Sequence, residues 1–188
     1  MARNPQRRTE LADAGLRILA REGARGLTHR AVDDEADVPK GTTSNYFRSR
    51  DDVIAGLVNR IGERLVPDPE VHAQLGTQTP SAALFADYVR DIVSRLLGNP
   101  EVTLALFELR LEASRRPEIR DVLGDWQRTN FRSDVEFNLA AGLPGGAREV
   151  ALFHYAIDGL LLDRLTNPID PDTSTDDIVN ALVDGLLR

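Results

Sequence analysis

The chain of 188 residues contains no cysteine. That absence removes disulfides, thiolate metal ligands and thiol nucleophiles together, and it fits a reducing compartment. Lysine is almost as scarce: of 23 basic side chains only Lys40 is a lysine. No apolar run approaches the roughly 18 residues that a membrane span requires. The charged opening MARNPQRRTELADAGL has no hydrophobic signal core behind it. These absences predict a soluble, cytoplasmic protein with no membrane partner. Catalytic constellations are missing as well. The sequence shows no nucleophile–base–acid set, no phosphate loop and no zinc-ligand spacing, so no catalytic residue, cofactor or resident metal is expected. His154 and Asp158 stand four residues apart on one helix, a spacing that can hold a metal. Two ligands do not make a site, and a hydrogen-bonded pair is the simpler expectation. An enzyme on a helical scaffold would require turnover that depends on these two residues.

What is present is a core and an uneven charge. Apolar residues make up 41% of the chain, enough to bury a real interior. The net charge is −7, yet residues 1–60 carry +2 and residues 61–188 carry −9. A mildly basic N-terminal module on an acidic body limits non-specific sticking to polyphosphate while local arginines still make contacts.

Helical periodicity runs through the whole chain, without convincing strand alternation. Leu11, Ala14, Gly15, Ile18 and Leu19 form the stripe of a first helix over about residues 9–22, stopped by Gly23 and Gly26. Thr28 is a good N-cap for a second helix reaching about Asp37, and a third covers about 40–47. Ser49, with Asp52 three residues on, resembles a capping box and starts a fourth helix that runs to about Val66. The segment 67–80, with prolines at both ends, reads as a loop. Five more helices follow, at about 81–97, 101–114, 117–141, 147–166 and 175–187, separated by turns rich in Gly, Pro and Asn. The expected fold is all-α, with about nine helices. An N-terminal three-helix domain over 1–48 precedes a helical domain over 49–188.

The stretch from Leu27 to Leu57 is the most informative. Ala31, Val32 and Ala36 give the second helix an apolar side, and Val38 is a hydrophobic pin in the turn. Phe47 closes the third helix. With Val38 and Phe47 buried, Lys40, Thr42, Ser44, Asn45 and Tyr46 must face out, with Thr43 half-buried. Gly41 lets a phosphate or base edge approach the backbone. A helix of small polar residues with a positive edge is what a DNA major groove admits.

The ordered set Leu27-Thr28, Ala36-x-Val38, Lys40-Gly41-Thr42, Tyr46-Phe47 and Ser49-Arg50-Asp51 resembles the N-terminal helix-turn-helix domain of the tetracycline-repressor (TetR) family. The resemblance spans about residues 9–57. It implies that Thr28 and His29 touch phosphate and that Arg30 reads a guanine or pairs with Asp33 or Asp34. It places Lys40, Gly41, Thr42, Thr43, Ser44 and Asn45 at base edges or backbone, with Tyr46 and Arg50 as phosphate clamps. Many members carry aromatics where Ser44 and Asn45 stand here, and Pro39 replaces a common serine cap. No operator sequence therefore transfers.

The remaining helices suggest a dimer and a pocket. Ile178, Leu182 and Leu186 stripe the last helix, and Leu160, Leu161, Leu162 and Leu165 lie near Gly159 on the one before it. The resemblance implies a four-helix bundle with a twofold copy, its interface drawn from Leu161, Leu165, Ile178, Leu182 and Leu186. Phe85, Tyr88, Phe107, Arg110, Trp126, Asn130 and His154 are the candidates for a small-molecule site, apolar walls with a few convergent polar groups. The same aromatics can equally fill ordinary core. The reading is a homodimeric repressor on a palindromic double-stranded operator, released by an unidentified small molecule. The alternative is a DNA-bound regulator controlled by a protein partner, with a filled core and no ligand pocket.

Overall fold

The computed structural model describes residues 4–187, which form ten helices and no strand. In chain order these are α1 Pro5–Gly26, α2 His29–Glu35, α3 Thr42–Tyr46, α4 Arg50–Arg64, α5 Pro69–Leu75, α6 Ala82–Leu97, α7 Pro100–Ala113, α8 Pro117–Ala140, α9 Ala147–Leu165 and α10 Thr175–Leu186. Two compact units divide them: Met1–Val66 with Asn99–Trp126, and Pro67–Gly98 with Gln127–Arg188. Among the described residues no helix is long and apolar enough to cross a membrane.

The first unit does not stop at residue 48, where the sequence placed a domain boundary. Val53, Ile54, Leu57, Val58 and Ile61 of α4 enter the same core as Leu11, Leu16 and Leu19 of α1, and α7 adds Val102, Ala105 and Leu109. The reason is size: a unit of about 48 residues buries too little apolar surface to be more than marginally stable alone. α1 begins at Pro5, earlier than expected, because Asn4 accepts from the Gln6 amide at 3.0 Å and proline suits a first helical turn. It loses helical geometry at Gly23, whose φ of 68° suits a residue without Cβ. The Asp13 carboxylate grips Arg60 of α4 with two bonds, at 2.8 and 2.9 Å, and Arg64 at 3.2 Å. These bonds raise the Arg60 pKa above its ordinary value. Phe47 is 1% exposed and lies on Gly56 of α4, where a Cβ would come within 2.4 Å of the ring. Capping is local: Thr28 accepts from the Ala31 amide, and Ser49 and Asp52 form a reciprocal capping box.

The second unit packs α6 with α9 and α10. Leu84, Phe85, Tyr88, Val89 and Val93 of α6 are buried, as are Val150, Phe153, Ile157, Leu160 and Leu161 of α9 and Val179 and Val183 of α10. Inside the segment expected to be a loop lies α5. Asp68 caps it by accepting from Glu70, and Pro69 occupies its first turn. A proline that ends one helix can equally open the next. After α8 the chain turns at Gly142 (φ 64°), with the Leu143 amide donating to the Asn138 carbonyl and the Gly142 amide to the Leu139 carbonyl, both at 3.1 Å. The buried Asn138 side chain holds the following turn by donating to the Gly145 carbonyl at 3.0 Å. One residue expected at a dimer interface lies inward. Leu161 is 1% exposed within its own protomer, whereas its neighbour Leu162 is 48% exposed.

Candidate nucleic-acid interface

The turn after α2 is built by backbone hydrogen bonds. The Val38 amide donates to the Asp33 carbonyl at 3.0 Å, and the Asp37 amide to the Asp34 carbonyl at 3.3 Å. This is a Schellman ending, with Asp37 in the left-handed position at φ 51°. Aspartate tolerates that region better than most residues because its short side chain bonds locally. Val38, the expected pin, packs against the core of the first unit.

The side-chain cap of α3 comes from outside it. Its N-cap is Gly41, at φ 88°, which has no side chain with which to cap. The cap is Asp33 of α2 instead. Asp33 is 1% exposed; its Oδ2 accepts from the Gly41 amide at 2.7 Å. Its Oδ1 accepts from the Thr43 amide at 2.7 Å and the Thr43 hydroxyl at 2.5 Å. Burial pushes this carboxyl up, but the bonds from Thr43 and Gly41, with His29 nearby, outweigh it and hold the group below its ordinary value.

The expected DNA contacts divide into an outer and an inner set. Lys40, Gly41, Ser44 and Asn45 are exposed, and Thr42 is half-exposed, its hydroxyl donating to the Pro39 carbonyl at 2.5 Å. Residues 39–50 include Lys40, Arg48 and Arg50 and no acid. Thr28 is exposed at the start of α2, and Arg30 is exposed at 3.8 Å from Asp34, a loose ion pair that leaves the guanidinium at the surface. Tyr46 is half-exposed, and its carbonyl accepts from Arg8 at 2.9 Å. The inner set differs from the expectation. Thr43 is fully buried, its hydroxyl and amide both spent on Asp33, so its side chain offers nothing to a base. His29 turns inward as well, its Nε2 donating to the Phe47 carbonyl at 2.8 Å. Arg50 donates to the Ala24 carbonyl, and with Leu27, Thr28, His29 and Val53 it lines a cleft of about 180 Å³.

Three supports were not read from the sequence. Asp33 sits in phase with the apolar side of α2, beside Val32 and four residues after His29. A carboxylate on an inner face, with glycine and threonine eight and ten residues later, was the available signal. Arg8 places its guanidinium 4.3 Å from the Phe47 ring centre, bracing the end of α3 from α1. Glu35 joins α2 to α1 through Arg17 at 2.7 Å and Arg21 at 2.9 Å, bonds that hold its pKa down.

Most of the expected ligand residues make contacts of their own. In the first unit, Trp126 packs on that unit's core with its indole nitrogen 3.1 Å from where a Gly62 Cβ would stand, and the Arg110 guanidinium lies 5.9 Å from the Phe107 ring. In the second unit, Phe85 stacks against Phe153 with ring centres 4.6 Å apart. Tyr88 meets His72 at 5.2 Å and Phe137 at 5.1 Å, edge to face, and burial pushes its hydroxyl pKa up. Asn130 is half-buried. His154 bonds to Asp134 of α8 at 3.0 Å, in place of the expected Asp158 partnership along its own helix. Among the described residues no group of three or more His, Cys, Asp or Glu side chains is placed to hold a metal ion.

Comparison with known proteins gives this geometry its context. The family model described as "Tetracyclin repressor-like, C-terminal domain" matches residues 80–188. The nicotine-responsive transcriptional repressor HdnoR of Paenarthrobacter nicotinovorans, of helix-turn-helix type, is 27% identical, over 96% of this chain and 94% of that protein. A TetR-family member from Streptomyces coelicolor A3 superposes with a TM-score of 0.74 at 28% identity, covering 98% of this chain and 99% of the other. The multidrug binding protein EbrR, solved with ethidium, gives a TM-score of 0.70 at 27% identity, covering 97% and 99%. With a family match over more than half its length behind a helix-turn-helix head, the chain belongs to the tetracyclin repressor-like family of DNA-binding transcriptional regulators.

Proposed function

We propose that this regulator is a cytoplasmic homodimeric repressor. It reads a roughly palindromic operator through two α3 helices about 34–36 Å apart, one turn of DNA. The observation that carries this reading is the outer face of α3: Lys40, Ser44 and Asn45 exposed, acid-free and free of bulk, above a buried Thr43. Ser44 and Asn45 offer donors and acceptors to base edges, Lys40 meets phosphate or guanine, and Thr28, Arg30 and Tyr46 fix the register on the backbone.

A twofold copy is supported by the unpartnered side of α9. Tyr155 is 71% exposed and Leu162 48%, with Gly159 between them, where an added Cβ would meet nothing within 4 Å. Leu165 on α9 and Ile178, Leu182 and Leu186 on α10 are half-exposed and can extend that contact. The interface therefore takes Tyr155 and Leu162 in place of Leu161.

Release by a small molecule is supported by likeness to a nicotine-responsive repressor and to a multidrug binding protein. The ligand is read by Phe85, Tyr88, Asn130 and His154 of the second unit. It must prefer the form that does not bind DNA, because equal affinity for both forms shifts nothing. A protein-partner reading is favoured by one observation, the close Phe85–Phe153 contact that fills the meeting of α6 and α9. The test is an anisotropy titration against DNA from the upstream intergenic region and a scrambled duplex, repeated with a panel of cationic and aromatic compounds. Tight, salt-sensitive binding to the first duplex alone, reversed by a compound, is the expected result. Equal binding to both duplexes at all salt concentrations counts against a specific regulator, and specific binding that no compound reverses favours the protein-partner reading.

A further inference from the structure

We propose that Asp33 is the positioning residue of the DNA-reading helix: a buried carboxylate that caps α3 from a neighbouring helix and sets which of its side chains face the groove. The proposal rests on α3 being the DNA-reading element.

The argument begins with the size of α3. Its five residues close barely more than one turn, and a helix that short does not nucleate alone in water. Its first amides need an acceptor, and the residue in the cap position, Gly41, has none. Asp33 supplies it by accepting three hydrogen bonds, from the Gly41 amide, the Thr43 amide and the Thr43 hydroxyl. A local N-cap would hold the helix start against its own next turn. A cap on α2 holds it against another helix, so it also fixes rotation about the α3 axis. Because Thr43 is drawn inward, Ser44 and Asn45 are directed outward on the next positions, and both are exposed. The two oxygens of one carboxylate serve the two ends of this contact, and an amide cannot repeat that. In Asp33→Asn one oxygen keeps the Thr43 bonds, while the NH2 group faces the Gly41 N–H, donor against donor. The Asp33 backbone also takes part, since its carbonyl accepts the Val38 amide that closes the turn. One residue thus orders both the turn and the helix after it.

Full-length wild type, Asp33→Asn, Thr43→Val and Thr43→Ser test this. Each is titrated against the duplex that wild type enriches from a random-sequence library and against a scrambled duplex, and amide exchange over residues 41–43 is followed by NMR. Asp33→Asn and Thr43→Val are expected to lower the ratio of specific to scrambled affinity by about tenfold or more, with exchange at Gly41 and Thr43 faster by a similar factor. Thr43→Ser, which restores the hydroxyl, should stay within about threefold of wild type. Helix content and weak binding to scrambled DNA at low salt should not change. If Asp33→Asn does not fold, Thr43→Val against Thr43→Ser carries the same comparison. An unchanged affinity ratio with unchanged protection of Gly41 and Thr43 overturns the proposal. If wild type enriches no duplex, the DNA-reading assignment fails instead, and the exchange at Gly41 and Thr43 decides the cap on its own.

Discussion

α3 and α10 hold their places by opposite means. α3 is five residues long and buries one side chain, the polar Thr43. α10 is twelve residues long, buries Val179 and Val183, and leaves Ile178, Leu182 and Leu186 half-exposed beside them. The difference follows from what each is proposed to meet. A surface that offers polar atoms to DNA cannot also carry an apolar stripe, so its order comes from beneath, through Asp33 and the Phe47 anchor. A helix that meets a second protein can be apolar on two sides, because association removes that area from water at roughly 25 cal/mol per Å².

The sharpest way to break the comparison is Phe47→Ala. It removes the one large anchor at the end of α3 from its seat on Gly56, and should cost about 3–5 kcal/mol of stability by urea unfolding. A loss under about 1 kcal/mol would mean that α3 does not rest on Phe47. Tyr155→Arg with Leu162→Arg should follow in size. Both positions are exposed in the protomer, so helix content should hold while the sedimenting species becomes a monomer; a persisting dimer would move the interface elsewhere. Lys40→Ala should weaken specific DNA binding and lower the slope of log K against log salt by about 1, with no change in unfolding. An unchanged slope would remove Lys40 from the phosphate contacts.

Acid sharpens the contrast further. The folded pKa of Asp33 lies below its ordinary value, so its contribution to stability is fully present above about pH 4 and is lost as pH falls through the lower folded value. Exchange at Gly41 and Thr43 should therefore rise at low pH in wild type and be flatter with pH in Asp33→Asn, after correction for intrinsic exchange. A pH profile identical in the two proteins would show that this carboxylate is not coupled to α3. The smallest effect is expected at Asp37. Asp37→Ala should cost about 1 kcal/mol, because alanine at positive φ lacks aspartate's local hydrogen bonding. Thermal unfolding would detect it, and no change in Tm would mean that the turn relaxes.

What could be read from the sequence was local. Thr28, Ser49 with Asp52, and Ser81 each cap a helix within three residues, and those helix starts were found where they stand. The outward run of Lys40, Ser44 and Asn45 was legible because Val38 and Phe47 bracket it. What escaped depends on residues distant along the chain or on a small phase difference. Asp33 reaches Gly41 and Thr43 across a turn. His154 finds Asp134, twenty residues back, in place of Asp158 at helical spacing. Leu161 and Leu162 differ by one position, about 100° of helix rotation, and a run of three leucines does not say which points inward. α5 was hidden by its flanking prolines, which signal the end of one helix and the start of another with equal force.

Lys40 has one more consequence. It carries the single ε-amine in the chain, and that amine is exposed at the edge of α3. Once the α-amine is blocked, a lysine-directed reagent places a fluorophore or a photo-crosslinker at one known point of the proposed reading surface, with no engineered cysteine. Protection of that amine by an added duplex would show whether DNA covers this point of the surface. Acetylation at the same nitrogen would erase one positive charge where the protein can least spare it.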